Sequence, residues 1–205
     1  MRVLIAILTM LALAFPACAA PAVAISGKLE LADLNMATDD ALQGQPFVVE
    51  APDVYYFYRG QYNGGPEGLS DAREKDTPTW DMYLSLNHAG PQEITVRWDL
   101  GPVPAEGRQL KLIRVFWGMD DSARNRAHLK FAARDAATQE WQDVCDYIQL
   151  PGDWAEDNSF RSLTLTFPAG EVQGFDAVRL YDGPGLVNIY PPRYVEVDVF
   201  TGPAG

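Results

Sequence analysis

The residues best suited to bind a ligand are concentrated in one aromatic segment, Asp53–Lys75, and in a few later loops. Tyrosine and tryptophan rings offer flat faces to the C–H patches of sugars, and planar Arg, Asn and His side chains hydrogen-bond hydroxyl groups. The residues with these chemistries are Tyr56, Tyr58, Arg59, Tyr62, Asn63, His88, Arg124, Asn125, Arg126 and Trp154. A structural role is the alternative, in which the tyrosines cover the core, the arginines offset nearby acids, and Trp154 anchors its loop.

Known catalytic motifs are missing from the sequence. It contains no Gly-x-Ser-x-Gly, His-Glu-x-x-His, phosphate-binding or dinucleotide-binding motif. His88 and His128 do not have zinc-binding spacing and have no cysteine partners. We therefore expect a protein that is not an enzyme, although its many carboxylates leave a glycoside hydrolase as an alternative.

The N-terminus has the order of a secretory signal peptide, which we predict over residues 1–20. Arg2 precedes an apolar run too short to span a bilayer, and small residues follow, with cleavage between residues 19 and 24. This order predicts a secreted or periplasmic protein without a transmembrane segment. Cys18 leaves a second interpretation open, in which this cysteine is acylated and anchors the protein by lipid.

The charge and the cysteine content narrow the classes of partner and of fold. The net charge of −12 disfavours nucleic acid and anionic membranes, because no basic cluster offsets it. After signal cleavage Cys145 is the single ordinary thiol, so no internal disulfide forms and the stability must come from the core. We expect Cys145 to be a small buried hydrophobic residue.

Short alternating segments between closely spaced prolines and glycines predict an all-β sandwich with little helix, built as one domain over residues 25–205. A turn or two of helix is predicted at Met36–Leu42. The last strand alternates, which predicts that Val195, Val197 and Val199 face the core while Glu196 and Asp198 face solvent. The predicted strands are Ile25–Leu31, Phe47–Glu50, Ile94–Asp99, Leu110–Trp117, Ala127–Arg134, Trp141–Asp146, Ser162–Phe167, Ala177–Tyr181 and Tyr194–Phe200.

Several of these segments, taken in order, resemble the discoidin family, which comprises the type C domains of coagulation factors V and VIII and the galactose-binding-like carbohydrate modules. The resemblance covers about two-thirds of the chain and leaves residues 25–66 as an N-terminal portion unlike the family. It implies an eight-stranded galactose-binding-like jelly roll whose loops at one end carry recognition. The segments that carry it are Leu69-Ser-Asp71 through Thr77-Pro-Thr-Trp80, Ile94-Thr-Val-Arg-Trp-Asp-Leu-Gly101, Leu112-Ile-Arg-Val-Phe-Trp-Gly118, His128–Val144, Asp176-Ala-Val-Arg-Leu-Tyr181 and Tyr194–Phe200.

The same resemblance implies a structural Ca²⁺. Many carbohydrate-binding members hold this ion with oxygens of the loop before the tryptophan and a Glu of the final strand, and Ca²⁺ takes six to eight oxygen ligands. In this sequence the corresponding residues are Asp71, Asp76, Thr77, Thr79 and Glu196. The loop departs from the family pattern, because Ala72 replaces a glycine and two extra residues separate Asp71 from Trp80. Exposure of Glu196 on a polar strand face, without a metal, is the alternative.

The sequence as a whole predicts a secreted, non-catalytic binding module that recognises extracellular glycan or cell-surface polysaccharide, as in adhesion. The alternative is a structural or protein–protein interaction domain of an envelope or extracellular assembly. Fold analogy by itself does not decide between them.

Overall fold

The computed structural model describes residues 20–27, 29, 39–50, 84–85, 93–118, 127–150, 160–183 and 193–204. Within these ranges the regular elements are all strands. Their bounds are β1 Ala22–Ile25, β2 Phe47–Glu50, β3 Leu84–Ser85, β4 Ile94–Asp99, β5 Gln109–Gly118, β6 Ala127–Asp135, β7 Trp141–Asp143, β8 Ile148–Leu150, β9 Phe160–Thr166, β10 Phe175–Asp182 and β11 Arg193–Gly202.

The strands form two antiparallel sheets. A five-stranded sheet has the order β1-β9-β5-β11-β3, and a six-stranded sheet has the order β2-β4-β10-β6-β7, with β8 also paired to β6. Most strands that are consecutive along the chain lie in different sheets, so that neighbouring strands within one sheet are distant in sequence. The all-β jelly-roll sandwich predicted from the alternating pattern is confirmed.

The core lies between the two sheets and is built from the inward-facing positions of both. The five-stranded sheet contributes Trp117 and Val197, and the six-stranded sheet contributes Trp98 and Phe131, all fully buried. Burial of this apolar surface is the main stabilising term, since no disulfide is present among the described residues.

The N-terminal portion is part of the sandwich where it is described. β1 pairs with β9 along all four of its residues, and β2 pairs with β4 from Phe47↔Trp98 to Glu50↔Thr95. Residues 39–44 form a bend and a turn against the last strand, where Ala41 N donates to Val199 O at 2.7 Å. The helix predicted at Met36–Leu42 is therefore wrong over its described residues, because the segment turns to pair with β11.

Most of the predicted strands are found within two residues of their predicted bounds. The first strand is the exception, since it ends at Ile25 where the prediction began, and Leu29 forms only an isolated bridge to Phe160. The short strands β3 and β8 were not predicted, and β7 ends three residues early. No helix in the described part of the chain has the length and apolar character needed to cross a membrane.

Candidate functional site

One end of the sandwich gathers the strand termini that flank the predicted recognition segments. In the six-stranded sheet Ile94 pairs with Asp182, and Asp182 pairs with Leu129. In the five-stranded sheet Gly118 pairs with Phe160, and Tyr194 pairs with both Trp117 and Leu84. We call this the loop end, because segments 86–92, 119–126, 151–159 and 184–192 begin and end at strand termini there, and segment 51–83 begins there after Glu50.

Beneath the loop end, Tyr194 of the five-stranded sheet lies near Asp182 of the six-stranded sheet. Tyr194 is fully buried, and this burial, followed by the charge of Asp182 and a hydrogen bond with it, raises the pKa of Tyr194 well above its usual range. The phenol therefore stays protonated at any physiological pH and can donate to the carboxylate.

The predicted ligand-binding residues lie outside the described residues, but their segments are bounded by described strands. Tyr56, Tyr58, Arg59, Tyr62 and Asn63 belong to segment 51–83, between β2 and β3. Of the other predicted residues, His88 lies between β3 and β4, and Trp154 lies between β8 and β9. The segment between β5 and β6 contains Arg124, Asn125 and Arg126. Each of these segments begins at the loop end, and the segments that contain His88, Arg124–Arg126 and Trp154 also end there.

Of the residues predicted to bind Ca²⁺, Glu196 is the one that the structure describes. It lies on β11 near the loop end and is 1% exposed. A buried carboxylate suits the donor chemistry of this hard cation, so Glu196 fits as one ligand. Asp71, Asp76, Thr77 and Thr79 lie outside the described residues. Among the residues that are described, no three His, Cys, Asp or Glu side chains are grouped so that they could hold a metal ion.

The solvent-facing side predicted for the last strand is wrong. Glu196 is 1% exposed and Asp198 is fully buried, so both faces of β11 are covered. Asp198 accepts a hydrogen bond from Arg114 Nε at 3.0 Å, and the Arg114 guanidinium lies over the rings of Phe116 and Phe200. Alternation distinguishes the two faces of a strand, but packing decides whether the polar face meets water.

A β-bulge in the same strand changes which side chains enter the core. The register shifts between Tyr194 and Glu196, with Tyr194 opposite Trp117 and Glu196 opposite the next residue, Phe116. Strict alternation would place Tyr194 on the side of Glu196, whereas the bulge brings it into the core cluster. The sequence carries no clear signal for this bulge.

The outer face of the six-stranded sheet carries a network of ion pairs and aromatic rings that the sequence analysis missed. Glu50 accepts hydrogen bonds from both Arg97 and Arg179. The Arg179 guanidinium also lies 3.8 Å from the centroid of the Trp141 ring and donates to Tyr181 Oη at 3.2 Å. Cross-strand register creates this network, because it joins residues from β2, β4, β7 and β10.

The network continues across β6. Arg134 Nε donates to Asp176 at 2.7 Å, and Lys130 Nζ donates to Asp143 at 2.9 Å. Lys130 Nζ also lies 4.5 Å from the Tyr181 ring centroid. Each of these cations is paired with a carboxylate, so the network holds neighbouring strands of the sheet together.

Cys145 behaves as predicted from its sequence environment. Its side chain packs against the core, and its Sγ accepts a hydrogen bond from Phe131 N at 3.3 Å. Burial raises the pKa of the thiol to about 11. Because the thiolate is the reactive form, we expect Cys145 to react slowly at neutral pH.

Comparison with known proteins returned similar structures but no similar characterised sequence. No protein-family model matches the chain, and no curated protein matches it. A CBM32 module of Clostridium perfringens, solved in complex with GalNAc-β-1,3-galactose, is 14% identical with a TM-score of 0.44, covering 77% of this chain and 95% of that one. The C-terminal domain of a chitobiase from Bacteroides fragilis is 13% identical with a TM-score of 0.48, covering 80% of this chain and 98% of that one.

A second CBM32 module of C. perfringens, from a family 31 glycoside hydrolase, is 11% identical with a TM-score of 0.46 and covers 80% of this chain and 94% of that one. Two of these three solved structures are CBM32 modules, and their fold is of the kind that the sequence resemblance indicated. TM-scores below 0.5 at this identity do not by themselves make the chain a member of that family.

Proposed function

We propose that this protein is a non-catalytic binding module that recognises carbohydrate at the loop end of its sandwich. One observation carries the proposal. The described strand ends that flank the segments with the predicted recognition residues lie together at one end of the sandwich. In this proposal the separate stretches of sequence, from Tyr56 to Trp154, contribute to one binding surface. Loops on a rigid sandwich are the usual place for a binding site.

The chemistry of these segments suits a neutral glycan. Tyr58 and Tyr62 supply aromatic faces, while Arg59 and Asn63 supply planar hydrogen-bond donors and acceptors. A net charge of −12 repels anionic chains, which favours neutral sugars over sulfated or phosphorylated ones. In this proposal Ca²⁺ is held by Asp71, Asp76, Thr77, Thr79 and Glu196 and serves to stiffen the loop.

A glycan array probed with the mature protein, once with Ca²⁺ and once with EDTA, tests the proposal. We expect binding to neutral glycans that Tyr58→Ala or Arg59→Ala abolishes. Lys111→Ala is the matched control, because Lys111 is an exposed cation on β5 far from the loop end. Loss of binding in EDTA alone would support the calcium site. A blank array from folded protein would contradict carbohydrate recognition.

A role as an interaction domain in an extracellular assembly is the second candidate, and the first strand favours it. β1 lies at the edge of the five-stranded sheet and all four of its residues are exposed, including Val23 at 50% and Ile25 at 39%. An apolar edge strand without charged residues is able to pair with another chain. If the array is blank and the double variant Val23→Lys, Ile25→Lys abolishes co-purification with a native partner, this second function replaces the first.

A further inference from the structure

The strand β1 leaves one edge of the five-stranded sheet open. It is the first strand in the order of that sheet, and the strand beside it is β9. All four of its residues, Ala22–Ile25, are exposed. Val23 and Ile25 are two of the three large apolar side chains that the described residues expose, and the third is Val48. An edge strand of this kind presents N–H and C=O groups to any strand that approaches it.

Two hydrogen bonds show how β9 divides its backbone groups between its neighbours. Ser26 N donates to Ser162 O at 2.9 Å, and Phe167 N donates to Lys111 O at 3.0 Å. Along an antiparallel strand, successive residues direct their N–H and C=O groups to opposite sides. The even-numbered residues of β9 therefore bond to β1, and the odd-numbered residues bond to β5.

This alternation decides which groups of β1 face the open edge. Ala22 and Ala24 are opposite even-numbered residues of β9, so their backbone groups are used within the sheet. The N–H and C=O groups of Val23 and Ile25 point the other way, toward solvent. The open edge thus offers two donors and two acceptors, in two sets separated by one residue.

The side chains of Val23 and Ile25 lie at the rim of the core. Val23 is opposite Leu165 and Ile25 is opposite Leu163, and both leucines are fully buried. Side chains of opposite residues lie on the same face of a sheet, so the two β1 side chains are on the core side although they are exposed. A strand added to this edge would cover apolar surface as well as pair with backbone groups.

The distribution of charge allows a second copy of this chain to supply that strand. Two copies, each with a net charge of −12, repel each other wherever their acidic surfaces meet. The edge strands β2 and β7 of the other sheet carry Glu50 and Asp143. Residues 20–27 carry no charged side chain. Two copies can therefore meet at β1 without bringing carboxylates together.

The open edge is also complementary to itself. Val23 and Ile25 lie on either side of Ala24, so a two-fold axis through Ala24 brings Val23 of one copy opposite Ile25 of the other. Each of these two pairs can exchange two N–H···O=C hydrogen bonds. At the axis the two Ala24 residues form a non-hydrogen-bonded pair, in which Cα atoms lie about 4.5 Å apart, and their small side chains leave room for this approach.

We propose that β1 pairs in antiparallel fashion with β1 of a second copy and joins the two five-stranded sheets into one. The pairing itself does not depend on carbohydrate recognition, because β1 is separate from the loop end. Its consequence rests on the proposed function. A two-fold axis that makes the paired strands antiparallel also points the two loop ends in opposite directions, so the dimer would connect two separate glycan surfaces.

Sedimentation velocity of the exported, signal-cleaved protein between about 10 µM and about 1 mM tests the pairing. The shared ladder is short, and Pro21 has no N–H to extend it. We therefore expect a dissociation constant above about 1 µM, since interfaces of standard size already reach that value. Ala24→Glu should weaken the dimer at least tenfold, because it brings two carboxylates together at the axis. Thr166→Glu is the matched control, because Thr166 is exposed on the neighbouring strand β9.

Cross-linking tests the register. Cα atoms about 4.5 Å apart can be joined by a disulfide, so Ala24→Cys should form a covalent dimer on oxidation. Val23→Cys should do so much less, because Val23 is opposite Ile25 of the other copy. A monomer at about 1 mM, a dimer that Ala24→Glu leaves unchanged, or equal cross-linking of the two cysteine variants would overturn the pairing. Any of these results would leave glycan binding at the loop end standing, since the array measures it separately.

Discussion

The guanidinium of Arg179 stacks on Trp141, with its central carbon 3.8 Å from the centroid of the ring. The same group donates to Glu50 on the far edge of the sheet, so one side chain connects β2, β10 and β7. Planarity allows both contacts at once, since a flat guanidinium can stack through its face and hydrogen-bond through its edge.

Arg179→Lys should therefore destabilise the protein although it keeps the charge. An ammonium group cannot stack on Trp141 and donate to Glu50 together, and we expect a loss of about 1 kcal/mol, the size of a partly exposed cation–π contact. Urea unfolding followed by tryptophan fluorescence measures the change. Lys111→Arg serves as the control, and equal stability of Arg179→Lys and the wild type would show that the stacking contributes nothing.

Arg108→Lys should destabilise the protein more than Arg179→Lys does, because Arg108 links residues 100–102 to Phe175. Its guanidinium donates to the carbonyl oxygens of Leu100, Gly101, Pro102 and Phe175, at 2.8 to 3.2 Å. A lysine cannot reach all four oxygens. The cost falls mainly on the buried carbonyl of Phe175, because a buried carbonyl left without a donor costs about 1–3 kcal/mol, whereas the other three bonds are only partly buried. We expect at least about 2 kcal/mol in urea unfolding. A loss as small as that of Arg179→Lys would argue against this bonding pattern.

The Asp40→Asn substitution should raise the free energy of unfolding, relative to the wild type, more at neutral pH than at acid pH. The carboxyl group is buried, and this desolvation raises its pKa although Val199 N and Leu42 N both donate to Oδ1. A raised pKa means that the folded state holds the proton more tightly. Its contribution to stability is therefore full below the unfolded-state pKa and is lost as pH rises through the folded-state pKa.

Asparagine keeps the Oδ1 acceptor and carries no charge to desolvate. The difference in unfolding free energy, Asp40→Asn minus wild type, should thus increase from pH 3.5 to pH 7 in urea titrations. Glu140→Gln is the control, because Glu140 is exposed and is not among the groups that shift the pKa of Asp40. If this difference in unfolding free energy instead decreases from pH 3.5 to pH 7, the folded state stabilises the charged form of Asp40.

Cys145 should resist thiol reagents in the folded mature protein. With a pKa raised to about 11, the thiolate is a minor species at pH 8, and burial also blocks access. We expect no measurable reaction with Ellman's reagent over an hour at pH 8, and one full equivalent within minutes in 8 M urea. Rapid labelling without denaturant would show that the region around β7 opens readily.

Signal cleavage should leave β1 intact. Ala22–Ile25 pairs with β9 in a continuous register from Ala22↔Thr166 to Ile25↔Leu163, and a cut after Ala24 would remove three of these four residues. Cleavage near residue 20 is therefore expected, and mass spectrometry of the exported protein measures it. An acylated N-terminal Cys18 would instead establish the lipid-anchored form.

Local pattern in the sequence was enough to predict the class of fold. Alternation between turn residues placed β2 and β4 with the bounds that the structure has, and placed β5, β6, β9, β10 and β11 within two residues. The short strands β3 and β8 were not predicted, because two or three residues are too few for a periodic signal. The turn at residues 39–44 was mistaken for helix because its pairing partner, Val199, is more than 150 residues away.

The candidate functional surfaces also include features that the sequence predicts and features that it does not. The types of residue that could bind sugar or calcium were identifiable from their side-chain chemistry, as with Tyr58 or Glu196. The sequence did not reveal the network around Arg179 or a cavity beside Gln173, because each of them joins strands that become neighbours only after folding. Burial of Glu196 and Asp198 was missed for a related reason, since a sequence does not show what packs over a sheet.

Residue types and spacing over a few positions were sufficient to predict most of the strands, the acidic net charge and the burial of Cys145. Tertiary structure alone decided which strands are neighbours, that the strand ends flanking the recognition segments lie at one end, and that a cavity lies at the other. The physical reason is that antiparallel register between distant segments sets these distances, and register depends on the packing of the whole core.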